Sequence, residues 1–403
     1  MLAPRPKILF LSHRLPFPPN RGDRIRAYHT IEFLSKFLDV YLGSLADEPW
    51  DPSQIAHLEK LCKEVRVCKL DPRRRWLHAC HQFALGEPVT QGAFYSRELA
   101  QQVKHWTSQP LDAALIFCSS MGQYANHFKV RPRKIVVDLV DVDSQKWSDY
   151  AQKASIPKKW LYRTESRRID RLEKVLADTA DSSLVVSQDE ARLYSARHPG
   201  LVAHAIGNGV DHQFFSPECG IAPAAQSSVP GIPKLVFVGV LDYLPNSQGI
   251  QWFCRDILPV VRQSLPGVQL SIVGRNPPAE VLALGQLQGV QVVGPVRDVR
   301  PYVLAADIAI APLQIARGVQ NKVLEALACG KPVIATPEAA TGIEGVEGIR
   351  VADRPLDWLT AIQELTDPEI YASVSKAARE QIVKNYSWDA QLAPLLSLLG
   401  VGP

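Results

Sequence analysis

Short runs of β-branched and apolar residues alternate along this chain with longer helical stretches, and that alternation is its tightest constraint. Strands that succeed one another through helices pair in parallel, because a crossover must carry the chain back to the same edge each time. In the first half the strand-like runs are "KILFLSHR" (7–14), "VYLGSL" (40–45), "AALIFCS" (113–119), "KIVVDLV" (134–140) and "SSLVVS" (182–187). In the second half they are "KLVFVGVL" (234–241), "QLSIVGR" (269–275), "VQVVG" (290–294), "IAIAPL" and "PVIAT" (332–336). Helices are expected between them, at 23–38, 160–178, 246–264, 319–329 and 372–385. Residues 209–234 are rich in Pro, Gly and Ser and have no helical period, the signature of a linker. The expectation is an α/β chain of two doubly wound Rossmann-like domains facing each other across a cleft, at 1–210 and 211–385. A C-terminal helix, 386–403, is expected to pack back on the first domain. In such folds ligands bind at the carboxyl ends of the strands.

Composition narrows the class further. With 403 residues, 46% of them hydrophobic and 21% charged, the chain can fill two cores and is not of disordered type. No apolar run reaches the length of a spanning helix, and "ILFLS" near the start is too short for a signal-peptide core. A cytoplasmic chain is expected. The seven cysteines form no CxxC pair, and the loose group Cys62, Cys68, His78, Cys80 and His81 fits no zinc template. Charge is uneven: 31 Lys and Arg face 23 Asp and Glu over residues 1–210, against 14 and 18 over 211–403. The basic half favours an anionic partner. No nucleic-acid-binding module accompanies that charge, so nucleic acid is not expected.

The segment "ARGVQNKVLEALACGKPVIATP" (316–337) carries the sharpest chemistry. Gly318 precedes a helix with Val323, Leu324 and Leu327 on its apolar face, Gly330 suits the position just past its end, and Pro332 stops it. The helix start offers unpaired amides beside Arg317 and Lys322, a combination suited to a diphosphate. Glu325 follows Lys322 by one turn and can accept hydrogen bonds from a vicinal diol such as ribose. Alternatively, Lys322 and Glu325 are an ordinary surface pair contributing roughly 0.2–0.5 kcal/mol.

Together with "VGRN" (273–276), "GPVRDVRPYVLAADIAIAPL" (294–313) and "GNGVDHQFF" (207–215), this segment resembles the family 4 retaining glycosyltransferases of GT-B fold. "SHRLPFPPNRGDRIRAYH" (12–29), "DLVDVDSQKW" (138–147) and "FVGVLDYLPNSQGIQWF" (237–253) are similar to the group associated with PEP-CTERM/exosortase exopolysaccharide systems. The resemblance implies donor binding in the second domain, at Gly239, Asn246, Gly274, Arg275, Gly318, Gln320, Asn321 and Glu325, and acceptor binding in the first. It implies a nucleotide-diphosphate sugar, UDP- or GDP-linked, as co-substrate, with no further cofactor and no metal. Three features depart from the family pattern: Arg317 replaces the first glutamate of E-x7-E, Val240 replaces an arginine, and the expected lysine is absent around Asn246 and Ser247. Arg317, Lys322 and Arg275 are cations that can restore the lost charge.

In the first domain, Asp23 is expected to cap a helix whose apolar positions are Ile25, Tyr28, Ile31 and Leu34. Arg21, Arg24 and Arg26 cluster there beside the amides of Gly22 and Asp23, forming a candidate anion loop. His13 ends the preceding strand and is a candidate acceptor residue. Asp138, Asp141 and Asp143 gather at another strand end, where carboxylates serve as base, hydroxyl anchor or metal ligand. Two basic-aromatic stretches remain: Arg163, Arg167, Arg171 and Lys174 with Trp160 and Tyr162, and "DPRRRWLHACHQF" (71–83). Each reads equally as a contact with an anionic membrane or as a solvated face.

The resulting expectation is a hexosyltransferase-type enzyme acting on a lipid-linked or glycan acceptor in exopolysaccharide assembly, at the inner face of the cytoplasmic membrane. Arg317, Lys322 and Asp141 are its expected catalytic residues. The rival readings are a nucleotide-sugar epimerase of the same fold and a catalytically degenerate glycan- or partner-binding protein.

Overall fold

The computed structural model describes residues 4–225, 231–316, 318–343 and 345–402, with Lys153 described by its backbone alone. The chain forms two compact units, one of residues 1–207 with 392–403 and the other of residues 208–391. The division thus falls three residues before the expected boundary, for a specific reason. Val210 donates its backbone N–H to Tyr386 and pairs with Ser387, so residues 208–210 are tied to the second unit. The returning helix, Trp388–Leu398, crosses from one unit to the other partway along its length rather than at its start.

The first unit holds seven parallel strands: β1 (Lys7–Ser12), β2 (Asp39–Ala46), β3 (Glu64–Lys69), β4 (Ala113–Phe117), β5 (Lys134–Val140), β6 (Ser182–Val185) and β7 (Ala203–Ala205). Their order across the sheet is β3-β2-β1-β4-β5-β6-β7. The sequence winds outward from β1 to β3, then returns to place β4 on the other side of β1, which makes the β1/β4 junction a topological switch point. β1 is buried along five of its six residues and β4 along its whole length, as expected where helices cover both faces.

The second unit repeats the plan with six parallel strands: β8 (Lys234–Val238), β9 (Gln269–Val273), β10 (Val290–Gly294), β11 (Ile308–Ala311), β12 (Val333–Ala335) and β13 (Ile349–Val351). Their order, β10-β9-β8-β11-β12-β13, puts the switch at β8/β11. Its core centres on Phe237, Phe253 and the fully buried Trp358, which meets Phe253 edge-on at 5.2 Å. The ten strand-like runs of the sequence are all strands. β3, β7 and β13 are additional, and each is an outer strand.

A helix spans Gly22–Ser35 and is buried on more of its surface than its apolar positions require: Arg24, Arg26, His29 and Thr30 are enclosed along with Tyr28, Ile31 and Leu34. Arg26 explains this. Its Nε donates to Asp138 Oδ2 at 2.8 Å with both side chains almost wholly enclosed, and its Nη1 donates to the Gly207 carbonyl at 3.2 Å. The other Asp138 oxygen accepts the Val140 N–H at 3.0 Å. One guanidinium thus ties the helix, the end of β5 and the end of the unit together. Losing one member of such a pair leaves a buried charge uncompensated, so Arg26→Met should cost about 3–5 kcal/mol in urea denaturation. The double variant Arg26→Met/Asp138→Leu should recover much of that loss; a single variant as stable as the parent would contradict the assignment.

Candidate functional site

In the second unit the candidate residues gather at the β8/β11 switch. β8 ends at Val238, and Gly239 follows with its N–H bonded to the Val273 carbonyl of β9. A side chain at Gly239 would lie 2.8 Å from Asn246 Nδ2 and 3.0 Å from Lys322 Nζ, so glycine leaves the space both groups occupy. Gly274 is equally constrained, since a Cβ there would overlap the Gly239 carbonyl at 1.6 Å. Asn246 is buried near the start of the helix Leu244–Trp252; its Nδ2 donates to the Val240 carbonyl at 2.9 Å, which aims Oδ1 at Lys322.

Lys322 comes from the other side of the switch. After β11 the chain passes Gly318, in the left-handed region at φ +61°, and enters the helix Asn321–Ala328. Gln320 is the residue at the helix start, and its side chain donates to the Gly318 carbonyl at 3.2 Å. Lys322 Nζ donates to Asn246 Oδ1 at 2.5 Å and lies 4.6 Å from the centre of the Phe237 ring. Burial drives its ammonium toward neutrality, bringing its pKa down to about 7 against the opposing pull of Glu325. Burial likewise raises the Glu325 carboxyl to about 7, opposed by Lys322. Glu325 has no hydrogen-bond partner among the described residues. Asn321 Oδ1 is buried and also unpartnered among them. The structure therefore brings Gly239, Asn246, Gly274, Lys322 and Glu325 together. Arg275 is exposed on the loop after β9, and Arg317 lies outside the described residues.

This arrangement can take an anion. An amine near its midpoint becomes fully charged when a phosphate approaches, because a nearby opposite charge favours the ionised form. A carboxyl one turn away, with no hydrogen-bond partner among the described residues, suits hydroxyl groups.

In the first unit the structure corrects the expected anion loop. Asp23 does not cap the helix; Arg21 occupies the capping position and makes no side-chain cap. Asp23 instead turns to Arg14, which donates to it at 2.6 Å, and to His13 Nε2 at 3.4 Å. Although burial alone would raise the Asp23 carboxyl, these two partners hold it well below the usual range. The arginine cluster is also largely neutralised: Glu48 pairs with Arg24 at 2.7 Å and with Arg21 at 3.4 Å, while Arg26 is committed to Asp138. Gly22 is exposed.

His13 is buried at the end of β1, stacked on Phe117 and edge-on to Phe94 at 5.3 Å. Burial lowers its pKa, so the imidazole is neutral near pH 7, and its Nδ1 has no partner among the described residues. Asp143 faces the same region, accepting from Lys146 at 2.9 Å and Ser119 at 3.3 Å. Asp141 is exposed. Two non-glycine residues here adopt positive φ, Cys118 (+74°) after β4 and Val140 (+67°) at the end of β5. For a β-branched residue this is costly backbone, of the kind that collects at functional edges. Arg14 and Asp47, paired at 3.1 Å, belong to this cluster and were not singled out in the sequence. Their signal was position alone, since Asp47 follows directly on β2 and Arg14 stands two residues past the end of β1.

Residues 232–367 match the family model described as glycosyl transferases group 1. No curated protein matches the chain. Among solved structures it is similar to sucrose-phosphate synthase from Thermosynechococcus elongatus, at 19% identity and a TM-score of 0.63, covering 98% of each chain. It is also similar to Anabaena HepE in complex with UDP and glucose, at 16% identity and TM-score 0.62, covering 97% of this chain and 99% of that one. A glycosyltransferase from Rickettsia africae aligns at 12% identity and TM-score 0.62, covering 98% of each. These likenesses establish the fold as GT-B.

The amine is directly testable. With 13Cε-lysine labelling, one resonance should titrate near pH 7 and be missing from Lys322→Met. A spectrum in which every lysine titrates in the ordinary range would remove the proposed desolvation.

Proposed function

We propose that this protein is a glycosyltransferase that moves a sugar from a nucleoside-diphosphate donor to an acceptor hydroxyl. The observation that carries the reading is the Lys322 amine held on Asn246 over Gly239, one turn from Glu325, whose carboxyl has no hydrogen-bond partner among the described residues, at the switch point of a GT-B donor-type domain. Lys322 stands where the charge missing at Val240 and Asn246 is needed, and Asn246 supplies the acceptor atom that holds it there. The match over residues 232–367 supports the reading, since it lies within the second unit and includes Gly239, Asn246, Lys322 and Glu325. HepE, solved with UDP and glucose, supports a uridine donor.

On this reading Lys322 and the amides at the start of the helix Asn321–Ala328 hold the diphosphate, joined by Arg317, and Glu325 holds the ribose diol. Reaction is with retention, as the resemblance to family 4 implies. The acceptor oxygen bonds to the anomeric carbon on the face from which the diphosphate oxygen departs, and the acceptor proton passes to that departing oxygen. Preorganised positive charge lowers the barrier by stabilising the leaving group, so a metal ion is not required to do so. His13 and Asp23 stand ready to position the acceptor hydroxyl. Asp141, exposed on the loop after β5, is the third residue we assign to catalysis, beside Arg317 and Lys322. Assembly of exopolysaccharide on a lipid-linked or glycan acceptor, at the inner face of the cytoplasmic membrane, is the setting we infer from the PEP-CTERM-type motifs. Among the described residues no helix is long and apolar enough to cross a membrane.

The departures at Arg317 and Val240 favour one competing reading, a degenerate binding protein. A thermal-shift panel of UDP-, GDP-, ADP- and dTDP-sugars separates the two. The correct donor at 100 times its Kd should add about 2.7 kcal/mol of stability. Lys322→Met should weaken that donor roughly 10–100-fold, the worth of a hydrogen bond to a charged group. Donor affinity should also decline as pH rises from about 7 to about 9, because the amine loses its proton. Binding without turnover in the presence of any acceptor would indicate the degenerate protein, and donor conversion without acceptor an epimerase.

A further inference from the structure

The helix Pro368–Tyr386 buries Val374, Ala378 and Ile382 against the core of the second unit, the stripe expected of a surface helix. A second row of the same spacing, at 371, 375, 379 and 383, lines a cavity of about 840 Å³, within the range of small-molecule sites. Pro217, Ile221 and Pro223 supply another wall, and Cys329, Gly330 and Lys331, just past the helix Asn321–Ala328, a third. Arg379 fixes these parts to one another. It donates to the Ala328 carbonyl, to the Phe215 carbonyl at 3.3 Å and to Ser216 Oγ at 3.0 Å, while Ser375 Oγ donates to the Gly330 carbonyl. The cavity is therefore formed before any ligand arrives. It is also separate from the donor residues: Lys322 lies seven positions before Cys329, roughly 10 Å along the helix.

The charge of this cavity runs against the half of the chain that holds it. Residues 211–403 carry 18 acidic and 14 basic residues, yet four of those 14 cations, Lys331, Lys376, Arg379 and Lys384, line the cavity with a single carboxylate, Glu380. Glu380 lies one turn from Lys376 and one from Lys384, and offsets only one of the four charges. Other cations of the unit pair with carboxylates, as Arg300 does with Asp298 at 2.6 Å and Arg350 with Glu364 at 2.7 Å. Among the described residues none of the four cavity cations makes an ion pair. Lys331 is half-buried, and its amine has no hydrogen-bond partner among them either. Burial lowers its pKa against the pull of Asp307, whose Oδ2 already accepts the Lys234 N–H at 2.9 Å. The rest of the lining is mostly apolar, including Leu304, Val383 and the Tyr371 ring.

We propose that this cavity is a second ligand site, separate from the donor site, for a small organic phosphate with a flat apolar body. Several ammonium groups with no carboxylate partner suit a phosphate dianion, which lysine binds as a point charge. The two proline rings and Tyr371 offer rigid faces to a planar body, and Ile221, Leu304 and Val383 keep water from it. The site does not depend on the glycosyltransferase reading, since no donor residue lines it. Its occupant nevertheless touches the donor helix, at the end opposite Lys322, where Arg379 and Ser375 hold the carbonyls of Ala328 and Gly330.

The test is isothermal titration of the full chain with 1-naphthyl phosphate, 1-naphthol and inorganic phosphate, each repeated in excess UDP. 1-Naphthyl phosphate should bind at least about tenfold more tightly than 1-naphthol or inorganic phosphate, and UDP should not displace it. Lys331→Met should weaken its binding roughly 10–100-fold, the worth of a hydrogen bond to a charged group. Lys376→Met/Lys384→Met removes two exposed ammonium groups without touching the core and should weaken it about tenfold, so the test stands even if Lys331→Met does not fold. Lys322→Met, at the far end of the donor helix, should bind 1-naphthyl phosphate as the parent does. Displacement by UDP, loss of binding in Lys322→Met, equal affinity for 1-naphthyl phosphate and 1-naphthol or inorganic phosphate, or cavity variants that bind like the parent would each overturn the proposal.

Discussion

In each sheet two neighbouring strands, β1 and β4 or β8 and β11, send their following chain to opposite sides, and a gap opens between the departing loops. A parallel sheet cannot avoid this once the winding reverses, since every strand ends at the same edge. All the candidate chemistry of this protein sits at those two gaps. His13, Arg14, Asp23 and Asp143 flank the first; Gly239, Asn246, Lys322 and Glu325 flank the second. The remaining structure supplies rigidity: buried strands behind, and carboxylates such as Asp138 and Glu190 that accept backbone N–H groups of the loops in front.

The two gaps differ in their electrostatics. Around the first gap Arg14, Arg21, Arg24 and Arg26 each have a carboxylate, so the site is a network of ion pairs around one neutral histidine. In the second, the principal cation faces a neutral amide and an aromatic ring, and burial has moved both it and its neighbouring carboxylate toward neutrality. A site of the second kind gains most from a charged ligand, because the ligand supplies the counter-charge that the protein withholds. This contrast gives physical content to the division between donor and acceptor halves.

The central strands were legible because they are buried on both faces and so read as continuous apolar runs. β3, β7 and β13 were not, since outer strands keep polar residues: β3 alternates exposed and buried along "EVRVCK", and β7 has only three residues, "AHA". Lys322 and Glu325 were legible from their spacing on a short helix after a glycine. The partner of Lys322 was not legible in the same way, because Asn246 lies 76 positions earlier and reaches it only through the pairing of β8 with β11. Asp23 shows the opposite failure. Local rules favour it as a helix cap, but Arg14 and His13 offer a charged partner and a hydrogen bond, which outweigh a cap worth about 1 kcal/mol.

The sequence by itself determined the two parallel sheets, the strand ends at which the candidate residues collect, and the helix that carries Lys322 and Glu325. Each of these is written in local periodicity and in the placement of glycine and proline. The stretch it marked as a linker is instead held on the second unit through Val210, Phe215, Ser216 and Ala224. Only the tertiary structure decided which charges are spent and which are held ready. Arg21, Arg24 and Arg26 look alike in the sequence, yet two are drawn to Glu48 and one is buried against Asp138. It also decided that residues 72–84 and 158–179 share one face, because Phe83 and Trp160 meet only when the sheet has folded between them. Pairing of charges and joining of surfaces depend on distances through space, and no spacing along the chain records them.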